Sequence, residues 1–169
     1  MKQTDIVKAL AVLGLAALVL IVAVPLLYPY GTFQHLDGYA SVMDHDWSRY
    51  GAGGWIYTLG DFLCHQEQSR SFMLNGSQMP FCIRDVGLLS GLVIGLFASV
   101  RIGERMSDRK YLINGLLMIA LTLLEWIIEN AWSIDLPVSR FLLGIVSGAG
   151  VALVLSYVIE KGMTGVSPS

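Results

Sequence analysis

The sequence predicts an all-α integral membrane protein, a four-helix bundle with a long extracytoplasmic loop between its first and second helices. Three observations carry this expectation. The 169 residues are 54% hydrophobic, with a mean hydropathy of +0.62. Only 14% are charged, against about 25% in a soluble domain, so too little polar surface exists to cover a water-soluble globule. Four apolar stretches each approach the ~20 residues that cross a hydrocarbon core about 30 Å thick. The spans are expected at about 9–27, 81–100, 111–129 and 140–159, with the outer loop at 28–80 and one membrane domain over 1–169. The net charge of −2 and the 11 dispersed basic residues offer no stripe that would track phosphates, so no nucleic-acid partner is expected.

The first span follows a short head bearing Lys2, Asp5 and Lys8. Ala9 to Leu27 is 19 residues without a charge. A secretory signal would have a shorter apolar core, roughly 7–15 residues, and a small-residue cleavage site. Pro25 to Tyr30 is a poor cleavage site, so the span is expected to be retained. Tyr28 and Tyr30 fit the aromatic belt of a membrane interface.

Gly31 to Met79 is a polar connection holding His35, His45 and His65, the three histidines of the chain. Gly51, Gly53 and Gly54 read as breaks in it. Trp55, Ile56, Leu59, Phe62 and Leu63 then recur at helical spacing, which predicts a short helix capping the bundle or lying on the membrane surface. Pro80 reads as the start of the second spanning helix, where its missing N–H costs nothing. Gly87, Gly91 and Gly95 on the second span, and Gly144 and Gly148 on the fourth, are spaced by four. Such small-residue stripes let membrane helices approach closely.

Orientation follows from lysine and arginine in short connections. The head, the 101–110 connection and the tail carry seven of them, and the other side carries four (Arg49, Arg70, Arg84 and Arg140) over much longer sequence. Both termini are therefore expected in the cytoplasm of a cell membrane, and the loop outside.

Charged residues within spans must face a protein interior or a wet cavity. On a wheel of 100° per residue, Asn114, Met118, Thr122, Glu129 and Trp132 lie within about 60° of Glu125. Arg84 shares the glycine stripe of the second span, and Arg140 shares a face with Gly144 and Ser147. The expectation is that Arg84 and Arg140 pair with Glu125 and Glu129, as catalytic groups or as structural glue.

Cys64, His65, Cys82 and Asp85 offer thiolate, imidazole and carboxylate in two sequence pairs, the ligand types of a zinc-like ion. No other cofactor is indicated. A Cys64–Cys82 disulfide is the alternative, closing a loop of about 20 residues and stabilising by roughly 3 kcal/mol. Free thiols are the third reading.

Cys64-His65-Gln66, Arg70-Ser71-Phe72, then Gly76, Gln78, Pro80, Cys82, Arg84, Asp85, Gly87 and Gly91 resemble a family of prokaryotic multi-pass membrane proteins known as domain of unknown function 2085. The resemblance extends through Glu125, Arg140, Gly144 and Gly148. It implies a membrane fold without an established reaction. Members of that family often carry a third cysteine where this chain has Asp85. That pattern suits an ion, which accepts either ligand, and brings metal and disulfide level. The family often shows Pro before a carboxylate in the third span, where this chain has Leu124-Glu125.

Three functions follow from these residues. The first is a membrane protein with a polar, metal-binding Cys/His/Asp/Glu/Arg site at the outer face. There Glu125 or Glu129 would be a general base and Arg84 would clamp an anionic group. The second is a small-solute or ion transporter or channel subunit. The third is a scaffold of a membrane complex, associating with itself or with other subunits through its glycine stripes. The lipid bilayer is the expected partner of all three.

Overall fold

The computed structural model describes residues 3–102, 108–132 and 136–164. Lys2 of the head, residues 103–107 of the 101–110 connection, residues 133–135 and the tail at 165–169 lie outside the described residues. Five helices and one hairpin follow in the order α1 (Gln3–Leu27), α2 (Gly51–Leu63), β1 (Ser71–Leu74), β2 (Ser77–Cys82), α3 (Ile83–Ile102), α4 (Arg109–Trp132) and α5 (Pro137–Thr164). Single 3-10 turns at Ser48–Tyr50 and Gln68–Arg70 precede α2 and β1. Four helices are long and apolar enough to span a membrane, at Thr4–Leu27, Ile83–Ile102, Arg109–Trp132 and Pro137–Met163. Three of them extend the expected spans at one or both ends, and α3 lies two residues further along than expected. The 20 residues of α3 cover about 30 Å, one hydrocarbon thickness. The helix starts are encoded locally. Asp108 accepts from the Lys110 N–H at 3.1 Å ahead of α4, and Pro137 opens α5.

The chain divides into two compact units, one of residues 1–16 and 87–169, the other of residues 17–86. In the first, Val7, Ala11, Leu96 and Ala152 form the buried apolar core. The glycine stripes on α3 and α5 meet here. A Cβ on Gly91 would overlap the Ile145 carbonyl oxygen, and one on Gly148 would overlap that of Leu88. Gly115 on α4 and Gly150 on α5 are reciprocal, each placing a would-be Cβ 2.6–2.7 Å from the other's carbonyl oxygen. Without a hydrophobic effect between helices in lipid, such close backbone packing supplies the association.

In the second unit Phe33, Trp47 and Tyr57 stack at the centre, with Phe33–Tyr57 centroids 3.9 Å apart and Val24 and Leu36 around them. The Tyr57 hydroxyl donates to the Gln78 carbonyl at 2.6 Å, and burial pushes its pKa well above the usual phenol value. The hairpin turns on Asn75 and Gly76. Both have positive φ, at 51° and 66°, as a two-residue type I′ turn requires.

Two expectations are corrected here. Pro80 lies in β2 and does not start α3. It sits where the ladder register slips between Ser71↔Cys82 and Met73↔Gln78, a bulge that tolerates a residue with no N–H to give. Gly51, Gly53 and Gly54 do not break the chain; they form the first turn of α2. Their small size serves packing, since side chains at Gly53 and Gly54 would run into the Tyr28 ring and the Trp47 carbonyl.

Gly60 does the same at the far end of α2, where a Cβ would overlap the Pro80 carbonyl and lie 2.6 Å from Gln66 Nε2. Gly60→Ala is expected to push β2 off α2 and cost about 2 kcal/mol, read as a lower thermal midpoint of the purified protein. An unchanged midpoint would show that α2 and β2 are not in this contact.

Candidate functional site

Cys64 is the residue at which α2 stops. Its N–H closes the last turn on the Gly60 carbonyl at 2.8 Å, and its backbone then turns extended. Cys82 ends β2, and Asp85 lies in the first turn of α3, where a carboxylate suits the positive end of the helix. These three elements bring the two sulfurs and a carboxylate oxygen within 4.8 Å of one another. Both cysteines are free thiols, Cys64 buried and Cys82 half-buried.

The two sulfurs are unequal, Cys64 being the readier thiolate and Cys82 the one that keeps its proton. The Cys82 thiol donates to the Cys64 sulfur, and this holds Cys64 below the usual thiol range despite its burial. Cys82 is pushed up correspondingly, because its proton is shared with Cys64 and it too is buried. The same thiol lies 3.1 Å from Asp85 Oδ2. Each sulfur also receives a backbone N–H from just downstream, Gln66 for Cys64 and Asp85 for Cys82. Gln66 adopts a positive φ of 46°, a conformation unusual for a residue with a side chain. Its side chain is buried and donates from Nε2 to the Pro80 carbonyl at 2.9 Å, tying the Cys64 turn to β2.

Gln78 completes the support. Fully buried, it gives its Nε2 to the Gln66 carbonyl and to Ser71 Oγ, and its Oε1 accepts from the Leu36 N–H at 3.4 Å. Sequence reasoning placed Gln66, Ser71 and Gln78 in the motif without giving them work. They are the frame that fixes Cys64 relative to Cys82. The Asn75-Gly76 pair was the overlooked signal, since it announces the hairpin that delivers Cys82.

His65 is exposed, and among the described residues it stands outside the Cys64, Cys82 and Asp85 group. Arg84 is half-buried at the second position of α3. Glu129 and Arg140 come together between α4 and α5, Arg140 Nε lying 2.9 Å from Glu129 Oε2 with both side chains about 95% buried. Glu125, one turn back, accepts from Ser139 Oγ at 3.1 Å. Thr122 on the same face of α4 donates to the Leu143 carbonyl at 2.8 Å. The polar face of α4 is thus matched by α5.

The match to known families covers this ground. The model of a family described as a predicted membrane protein, DUF2085, matches residues 64–154, from Cys64 to near the middle of α5. No curated protein and no solved structure matches the chain. The matched segment is more than half of the 169 residues and contains both cysteines, Asp85, Glu129 and Arg140. The chain belongs to the DUF2085 family of predicted membrane proteins.

Proposed function

We propose that this membrane protein binds a zinc-like transition-metal ion through Cys64, Cys82 and Asp85, at the outer face of the membrane. The observation that carries the reading is the convergence of two thiols and a carboxylate within 4.8 Å, with a backbone N–H directed at each sulfur. Amide donors of this kind stabilise thiolate charge and orient it, as outer-shell hydrogen bonds do in metal sites. Two thiolates and one carboxylate suit a borderline-soft ion better than magnesium or calcium. Three protein ligands leave the fourth tetrahedral position for an exchangeable group, the arrangement of a site that binds or acts on a solute. Arg84 is proposed to hold an anionic group beside the cysteines, and Glu125, Glu129 and Arg140 are proposed separately as acid–base and anion-holding groups within the other unit. The lysine and arginine distribution supports cytoplasmic termini, which puts the cysteines outside.

The test is metal analysis of protein purified in detergent, loaded with zinc and dialysed. Stoichiometric zinc is expected. It should be lost in Cys64→Ser and Cys82→Ser, and weakened about tenfold or more in Asp85→Asn. His65→Ala should retain it. Asp85→Cys should bind more tightly, because a third thiolate replaces a harder oxygen. Equal zinc in the wild type and the double serine variant would overturn the reading.

A further inference from the structure

A second polar group lies buried in the unit of residues 17–86, apart from the cysteines. Asp61, on the inner face of α2, is 1% exposed and carries three donors. Its Oδ2 accepts from the His45 N–H at 3.1 Å and from Trp47 Nε1 at 2.9 Å, and its Oδ1 lies 3.3 Å from His45 Nδ1. A carboxylate only accepts, so this contact fixes the ring tautomer with the proton on Nδ1. In the neutral ring Nε2 then presents a lone pair and is the ring nitrogen left for a ligand.

His45 is half-buried and lines two cavities, sharing that wall with Asp46 and Trp47. The larger, about 490 Å³, is bounded mainly by apolar surface, including Met43, Trp47 and Trp55, with the Ser48 and Thr58 side chains among its few polar groups. The smaller, about 250 Å³, is more polar, with Thr32, Gln34 and Arg49. Asp46 is already engaged by the Ser48 N–H at 3.0 Å. A mainly apolar chamber with a few polar groups, one of them an imidazole held in place by Asp61, is the usual design of a small-molecule pocket.

The rim says where a ligand would come from. Helix α2 is inverted relative to a helix on a soluble protein. Its inward face carries Asp61 and the Tyr57 hydroxyl, while Trp55, Leu59, Phe62 and Leu63 are 49–73% exposed. Asp61 is the one charged residue in α2, and it is buried. A 13-residue helix is too short to span, and such an uncharged, Trp-bearing outer face suits the membrane interface. Trp55 belongs both to this face and to the pocket wall.

We propose that the pocket is a lipid-accessible binding site for a hydroxyl-bearing amphiphile. His45 Nε2 accepts a hydrogen bond from the head-group hydroxyl, Asp61 holds the ring in the accepting tautomer, and Trp47, Trp55 and Met43 take the adjoining chain. The site is independent of the metal reading and shares no ligand residue with it.

The experiment uses the full chain in detergent micelles. It measures carbethoxylation of His45 by diethyl pyrocarbonate, read by peptide mass spectrometry, with added monoolein or its dimethyl ether. Monoolein at about ten times its half-effect concentration should slow modification about tenfold by mass action. The ether, which has no hydroxyl to donate, should protect far less. Asp61→Asn reverses the tautomer by donating to Nδ1, and should abolish the preference for monoolein over the ether. The exposed Trp55→Ser substitution, which leaves the Asp61 hydrogen bonds intact, should lower protection by both. Equal protection by monoolein and ether in the wild type would overturn the proposal. So would undiminished protection in Trp55→Ser.

Discussion

Gly91→Ala is expected to prevent α3 and α5 from packing, and Gly148→Ala to do the same from the other side. The added Cβ would overlap a main-chain carbonyl, that of Ile145 for Gly91 and that of Leu88 for Gly148. A side chain can rotate away from a new methyl; a carbonyl inside a helix cannot, so the helices must separate. Ordinary overpacking costs about 1–3 kcal/mol, and a backbone obstacle puts these variants at or above the upper end. The loss falls on the main source of helix association in lipid. The expected result is little monodisperse protein after detergent extraction, and a thermal midpoint roughly 10 °C lower in what remains. Ala98→Gly, at an exposed position of α3, is the comparison and should cost about 1 kcal/mol through helix propensity alone. Wild-type behaviour of Gly91→Ala would refute the α3–α5 seam.

Arg140→Gln should be nearly as damaging, and adding Glu129→Gln should recover part of the loss. Arg140 and Glu129 are each about 95% buried between α4 and α5, in contact at 2.9 Å. Removing one partner of such a pair typically costs about 3–5 kcal/mol, because the other is left as an uncompensated buried charge. The double variant leaves two neutral amides that can hydrogen-bond to each other. A double-mutant cycle on thermal or denaturant unfolding gives the coupling directly. A double variant no better than the sum of the singles would mean that the two charges do not depend on each other. If zinc binding survives in a stable double variant, the pair serves the bundle and not the ion.

The helical frame was legible because lipid imposes it. Long uncharged runs have few other solutions, and the four expected spans coincide with four helices. Spacing by four in Gly87-Gly91-Gly95 and Gly144-Gly148 foretold a small-residue seam, because helical period alone sets which residues share a stripe. The wheel likewise put Glu125, Glu129 and Thr122 on one face of α4, and α5 supplies partners to all three. The polar connection was far less legible. Its order comes from pairings such as Asp61 with His45 and Gln78 with Leu36, across 16 and 42 residues, which no local periodicity reports. Reading Pro80 as a helix start failed for the same reason. Proline suits a first helical turn and an irregular strand equally well, and only the hairpin partner decides. At the cysteines, sequence supplied the ligand types, while the proximity of Cys64, Cys82 and Asp85 depends on Gly60, Gln66 and the β2 bulge.

The division of the chain at residues 16 and 87 has a consequence for biosynthesis. Residues 17–86 are one uninterrupted stretch, and every support described for the cysteines and for His45 lies within it. That stretch is synthesised before α4 and α5. The unit that holds the bundle core is discontinuous, joining residues 1–16 to residues 87–169, so it closes only after α5 is made. The cysteine cluster and the cavity beside His45 can therefore assemble during synthesis, as N-terminal units generally do. A chain truncated after Ile102 should already protect Cys64 from alkylation, although its bundle cannot yet form.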